Sequence, residues 1–191
     1  ENTEKPPGIC VLTFTNKSAK ELKVRVKDQI GKKTDSLWAG TFHSFGLQLL
    51  RKYHRRLELN PRFHVADTSD CQAIVKDLLI NISNTGKNSF QVDKLLNIMQ
   101  TYKTNPHKTV IAEEDYLAVA KVLLPKYESR KKALGVVDFE DLLQMPIELF
   151  ERHPDVLTKV QGLFNYFMVD EFQDTNETQM KLLNILVDQH K

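Results

Sequence analysis

The stretch Phe164–Asn176, FNYFMVDEFQDTN, constrains this chain more than any other. A predominantly apolar run, Phe164 to Val169, stops abruptly at Asp170-Glu171. The polar tail Gln173-Asp174-Thr175-Asn176 then leads into another segment of apolar periodicity. A short apolar run between polar bounds suits a strand buried on both faces, as in a parallel sheet covered by helices. In such sheets ligands lie outside the carboxyl ends of the strands, where Asp170 and Glu171 emerge.

Two adjacent carboxylates at a sheet edge repel each other unless a cation or a proton-transfer task uses them. A Mg²⁺-nucleotide site uses both: one carboxylate holds the metal, often through water, and the other orients or deprotonates the attacking water. A bare Asp-Glu pair reads first, however, as a strand ending in two solvated acids.

Ile9–Phe14 (ICVLTF) has the composition of a second buried strand. Thr15-Asn16 follows as a helix N-cap signal, and Ala19, Leu22, Val26 and Ile30 recur at helical spacing up to Gly31. Leu37–Thr41 reads as a third strand, and from Phe42 a helix is expected to run to Leu57. This alternation predicts an α/β unit. The middle differs. Helices are expected over Asp67–Ile82, capped by Asp67 with Asp70 three residues on, over Val92–Tyr102, and over Glu113–Leu134, where Pro125 should kink or divide the helix. The turn Ser83–Ser89 and the loop Thr104–Thr109 separate them. About seventy residues with almost no strand signal predict a helical insertion. Asp138 then caps an expected helix Phe139–Phe150, Pro154 opens a short helix, and Thr175–Gln189 forms the helix after the Phe164 strand. The resulting division is 1–57, 58–134 and 135–191, the first and last parts forming one α/β domain around the middle one.

Composition excludes some classes. With 41% apolar and 27% charged residues, and no apolar stretch near the roughly 20 residues of a membrane span, a soluble, cytoplasmic protein is expected. Cys10 and Cys71 have no metal-ligand spacing and read as buried reduced thiols. The net charge of +2 hides an asymmetry. Residues 1–62 carry thirteen Lys and Arg against six Asp and Glu, net +7, and the remainder fourteen against nineteen, net −5. Such a basic segment suits a polyanion, although a run of lysines on a helix is also an ordinary solvated face.

Two strand-to-helix junctions carry polar and aromatic residues together: Thr13-Phe14-Thr15-Asn16-Lys17 and Gly40-Thr41-Phe42-His43-Ser44. Helix N-termini bind phosphate readily, and an aromatic face can stack a base. Taken singly, Phe14 reads as core, Asn16 as a cap and His43 as a structural histidine. Two such junctions on neighbouring strands would form a groove that tracks a sugar-phosphate backbone.

VDEFQDTN (Val169–Asn176) resembles the Walker B motif of superfamily 1A DNA helicases, the UvrD/Rep/PcrA group. VLTFTNKSAKEL (Val11–Leu22) resembles their motif Ia, GTFHSF (Gly40–Phe45) the next motif, and VVDFEDLL (Val136–Leu143) the motif that brings the chain back from the inserted 1B subdomain. The four stand in family order; Leu57–Leu134 matches only in length and helical character. The resemblance implies a partial RecA-like parallel sheet of P-loop NTPase type, domain 1A, with the helical 1B subdomain inserted. It also implies ATP and Mg²⁺ as cofactors, Asp170 as metal ligand and Glu171 as the group activating water. Gln173 and Asp174 would couple nucleotide state to their surroundings. Phe14, Asn16, Lys17, Thr41, His43 and, more weakly, Phe139 would line a single-stranded DNA track near a single-strand/duplex junction.

One departure matters: no G-x-x-x-x-G-K-[ST] phosphate loop occurs in the sequence. The chain is therefore expected to be a piece of a 3′→5′ helicase that works with a second RecA-like domain, and to be inactive alone. The motor of a RecB/AddA-like helicase–nuclease shares these motifs, and a non-catalytic DNA-binding module derived from a helicase is the reading from another class.

Overall fold

The computed structural model describes residues 8–31, 37–82, 90–105 and 109–188. The expected turn Ser83–Ser89, Pro106 and the end of the last helix at Gln189 lie outside them. The chain divides into two compact units, one of Glu1–Leu57 with Leu142–Lys191 and the other of Glu58–Asp141.

The first unit is built on a three-stranded parallel sheet. Strands β1 (Ile9–Thr13), β2 (Leu37–Thr41) and β5 (Tyr166–Val169) lie in the order β2-β1-β5. Thr13 pairs with Thr41 and Leu12 with Val169, so all three strands end at one edge. Cys10, Leu12 and Thr13 are fully buried, as befits a central strand. Helix α1 (Asn16–Ile30) follows β1 and stops at Gly31, whose φ of 62° suits a residue without Cβ. Helix α2 (Phe42–Lys52) follows β2, and Phe42, Phe45, Leu49 and Leu50 are buried along it. It ends five residues short of the expected Leu57. Turns replace the last part: the Leu57 N–H donates to the Tyr53 and His54 carbonyls, which keeps a nearly helical advance. Tyr53 and Leu57 still pack on the core, so the apolar spacing is satisfied without the helix.

Helices α6 (Asp141–Arg152), α7 (Pro154–Gln161) and α8 (Glu177–Val187) complete this unit from Leu142 onward. Pro154 occupies the first turn of α7, as expected, and Asn176 and Gln179 form a capping box at α8. Leu143, Ile147, Phe150, Val156, Leu182 and Leu186 join Cys10 and Leu12 in one core. The strand before Asp170 is shorter and less covered than its apolar run predicts. It begins at Tyr166, and Tyr166 and Met168 are 56% and 53% exposed, while Phe167 and Val169 pack on the core. The expectation of burial on both faces fails because β5 is an edge strand among the described residues, with core-forming elements on one face only.

The second unit is helical. Helices α3 (Thr68–Ile82), α4 (Val92–Thr104) and α5 (Glu114–Leu134) enclose Val75, Leu95, Met99, Ala120, Leu123 and Tyr127. Asp67 caps α3 reciprocally with Asp70. Helix α5 is not divided at Pro125. The ring lies on the exposed side, between the buried Leu123 and Tyr127, where water can take the carbonyl that proline leaves without a donor. Gly135, at φ 66°, ends the helix as expected. A pair the sequence did not announce, β3 (His64–Val65) and β4 (Val136–Val137), joins the two ends of this unit in parallel. Helix α6 starts at Asp141 rather than Phe139, and Asp138 caps it from outside by accepting the Asp141 N–H at 2.9 Å.

Candidate nucleotide and DNA site

The carboxyl edge of the sheet gathers the first set of residues. The Asp170 N–H donates to the Leu12 carbonyl at 2.9 Å, continuing the β1–β5 ladder by one residue, so Asp170 leaves the sheet beside Thr13. Asp170 and Glu171 are both exposed. Glu171 adopts the left-handed conformation (φ 50°, ψ 46°), unusual for a residue with a long side chain. That turn reverses the backbone into the 3₁₀ turn Phe172–Asp174, whose Asp174 N–H returns to the Glu171 carbonyl at 2.9 Å. The Gln173 amide donates to the Glu171 carboxylate, which couples these two side chains directly.

The two strand-to-helix junctions lie at the same edge. Thr15 caps α1 by accepting the Ser18 N–H at 3.0 Å, and Thr41 caps α2 by accepting the Ser44 N–H at 3.1 Å. The hydroxyl of Ser44 reaches the Asn16 side-chain oxygen at 3.4 Å and links the junctions. Phe14 is half-buried and packs on Phe42, with ring centroids 6.0 Å apart. Thr41 is 8% exposed and its hydroxyl is engaged in the cap, also meeting the Ser44 hydroxyl at 2.9 Å. Asn16 and Lys17 are exposed; Lys17 sits 3.9 Å from Glu21 in an open helical pair of little energetic weight. His43 is half-buried, and burial lowers its pKa, so the ring favours its neutral form. Lys20, Lys23 and Lys27 continue an exposed basic face along α1. Thus Phe14, Asn16, Lys17, Thr41, His43, Asp170, Glu171 and Gln173 share one edge of one unit.

Phe139 belongs to the other unit, where it is 55% exposed on the turn between Asp138 and α6. Beneath that turn lies a buried ion cluster. Lys131, 2% exposed, places its Nζ 2.6 Å from Asp138, 2.7 Å from Asp141 and 3.1 Å from Glu128. Lys103 pairs with Asp141 through a hydrogen bond and stands 3.0 Å from Glu128. The Tyr127 hydroxyl donates to Asp138 at 3.2 Å. Burial alone would raise the Asp138 pKa, but Lys103 and Lys131 bring it below the ordinary aspartate value. Lys103 moves upward because the attraction of Asp141, Asp138 and Glu128 outweighs its own burial. Glu128, Asp138 and Asp141 stand close enough to share a metal ion, but the ammonium groups of Lys103 and Lys131 already stand among them and offset most of their charge.

The model of the UvrD/REP helicase N-terminal domain matches residues 1–191. This chain belongs to the UvrD/REP helicase family. It is 31% identical to the ATP-dependent DNA helicase PcrA of Staphylococcus aureus (strain Mu50) over 195 aligned residues, which cover 100% of this chain and 27% of that protein. The same figures hold for the PcrA helicase of Staphylococcus epidermidis (strain RP62A). The chain therefore spans about a quarter of the length of these relatives. As a UvrD/REP family member it has the expected fold class: an α/β partial RecA-like parallel sheet with a helical insertion.

The donor set at the sheet edge of this UvrD/REP domain suits magnesium carried on a nucleotide. Asp170 and Glu171 are hard oxygen donors, and no third ligating side chain joins them among the described residues. Mg²⁺ is commonly held by one or two carboxylates, with phosphate oxygens and water filling the remaining positions. Sequence reasoning missed Ser44 as the link between junctions, and it missed Lys103 and Lys131 altogether. The signal for Lys131 was present: Leu123, Tyr127 and Lys131 recur every four residues, which puts a lysine on the buried stripe of α5.

Proposed function

We propose that this chain is part of the motor of an ATP-dependent DNA helicase that moves 3′→5′ on single-stranded DNA, with a second RecA-like domain closing on the nucleotide. The observation that carries the reading is the register of the sheet. It sets Thr13, Thr41 and Asp170 at one edge, so acidic residues and two aromatic, amide and hydroxyl junctions stand side by side. Mg²⁺ bound with ATP supplies neutralisation of phosphate charge. Asp170 would hold the ion, and Glu171 would take the proton of the attacking water. Gln173, bonded to Glu171, relays the state of that carboxylate to the 3₁₀ turn. Phe14 offers a base-stacking face, Asn16, Lys17 and neutral His43 line the strand's path, and Thr41 shapes that path through the α2 N-terminus that its hydroxyl caps. Phe139 adds a stacking contact, and the partner is single-stranded DNA next to a duplex junction.

The absence of a phosphate loop from the sequence predicts that the chain alone turns over no ATP, because the cradle that stabilises transferring charge is missing. The test is Glu171→Gln in the intact protein. Loss of the general base should lower DNA-stimulated ATP hydrolysis by roughly 10²–10⁴-fold, with nucleotide binding retained. Hydrolysis within a few-fold of the unaltered protein would refute the assignment of Glu171. DNA-stimulated turnover by residues 1–191 alone would refute the need for the missing loop.

A further inference from the structure

We propose that the buried cluster of Lys103, Lys131, Glu128, Asp138 and Asp141 is a positioning device that holds Phe139 in place for stacking on a single-stranded DNA base. The proposal rests on the reading of Phe139 as a base contact given above and goes beyond it.

Phe139 and Glu140 are the only residues between Asp138 and Asp141, and those two aspartates close a ring around them. The Asp138 N–H donates to the Asp141 carboxylate at 2.8 Å, and the Asp141 N–H donates to the Asp138 carboxylate at 2.9 Å. The two side chains are 1% and 7% exposed. Each is fixed again from below by Lys131 of α5, and Lys103 of α4 adds a second cation. Two helices therefore hold, through these carboxylates, both ends of the turn that carries one large, 55% exposed aromatic residue.

A helix cap needs one such aspartate, and neither lysine. Stability does not account for the rest, since well-packed apolar residues commonly replace buried ion pairs without loss. What the hydrogen-bonded part of the cluster, Lys131 and Lys103 with Asp138 and Asp141, supplies is a fixed geometry. The chemistry of the surroundings selects the ligand. Three carboxylates face two ammonium groups, so the cluster keeps a surplus negative charge, and Glu140 adds another acid beside the ring. That potential disfavours a phosphate at the ring itself, so the contact that fits Phe139 is the flat, apolar face of a base whose own phosphate is turned away from the cluster.

A double-mutant cycle on the intact protein tests the idea, with a fluorescein-labelled oligothymidylate as the probe and its anisotropy as the readout. Phe139→Ala should weaken binding roughly 5- to 150-fold, the range of one lost base stack. Lys131→Met should weaken it about threefold or more in the natural background and leave it unchanged when Phe139 is already alanine. If the two losses multiply instead, the cluster acts on the fold at large and the positioning role is overturned. If Phe139→Ala binds like the natural protein, the base contact itself is wrong. Should Lys131→Met not fold, Lys103→Met, at the more open side of the cluster (16% exposed), takes its place in the cycle. A loss that vanishes in the Phe139→Ala background then supports positioning, and a loss that persists there overturns it.

Discussion

Single residues here act through the charges beside them, and Asp138 is the clearest case. Its pKa is lowered despite burial, because Lys103 and Lys131 face it, with Asp141, Glu128 and Glu140 as opposing acids and the Tyr127 hydroxyl as a further donor. A carboxylate whose folded pKa lies below its unfolded value adds stability above the ordinary aspartate range and loses it as pH falls through the folded value. Lys103, shifted upward, adds stability below the ordinary lysine value and loses it at higher pH. The second unit should therefore be most stable between these limits and weaken below about pH 4. Asp138→Asn should flatten that acid limb, read as the urea midpoint followed from pH 2.5 to 6. A limb of unchanged steepness would mean that other carboxylates carry it. Lys131→Met leaves buried acids unpaired at neutral pH and should destabilise the unit by about 3–5 kcal/mol.

At the scale of elements, the packing of α2 on α6 within the first unit turns on one glycine. A Cβ built at Gly46 would lie 1.7 Å from the Leu142 carbonyl oxygen. That carbonyl is the one a regular α6 would bond to residue 146, and Pro146 has no N–H to give. The proline frees an oxygen, and the missing side chain lets α2 approach it. Gly46→Ala should thus destabilise the first unit by about 1–3 kcal/mol or more, as overpacking does, despite alanine's better helix propensity. A thermal midpoint equal to or above that of the natural protein would refute the close approach. This contact also marks the limit of what the sequence discloses. Periodicity revealed α1, α3, α4 and α5, and Gly31, Gly135 and Pro154 marked boundaries by local chemistry. It could not separate a helix from turns over Tyr53–Leu57, because both advance the chain similarly. Nor could it disclose β3 and β4, two residues each, whose pairing depends on segments about seventy residues apart. At the candidate site, Asp170, Glu171, Phe14 and the two junctions were visible as residue types at strand ends. Their convergence on one edge required the register, and the burial of Lys131 required a lysine to be read as core.

In the molecule as a whole, each unit contains its own core and one cysteine. Cys10 is fully buried in the sheet and Cys71 is 3% exposed among α3, α4 and α5. Burial pushes the Cys10 thiol up to about 12 and the Cys71 thiol upward as well, so neither forms a reactive thiolate near neutral pH. Each thiol therefore reports the opening of the unit around it. Brief iodoacetamide pulses across a urea series, with the labelled peptides weighed by mass spectrometry, should give two midpoints, one for each cysteine. Two separate cores, with the chain crossing from one to the other near Leu57 and Asp141, have little reason to melt in one step. Gly46→Ala should then lower the Cys10 midpoint alone, and Lys131→Met the Cys71 midpoint alone. A single shared midpoint that both substitutions move equally would show the chain to be one cooperative body, with the inserted helices and the sheet stabilising each other.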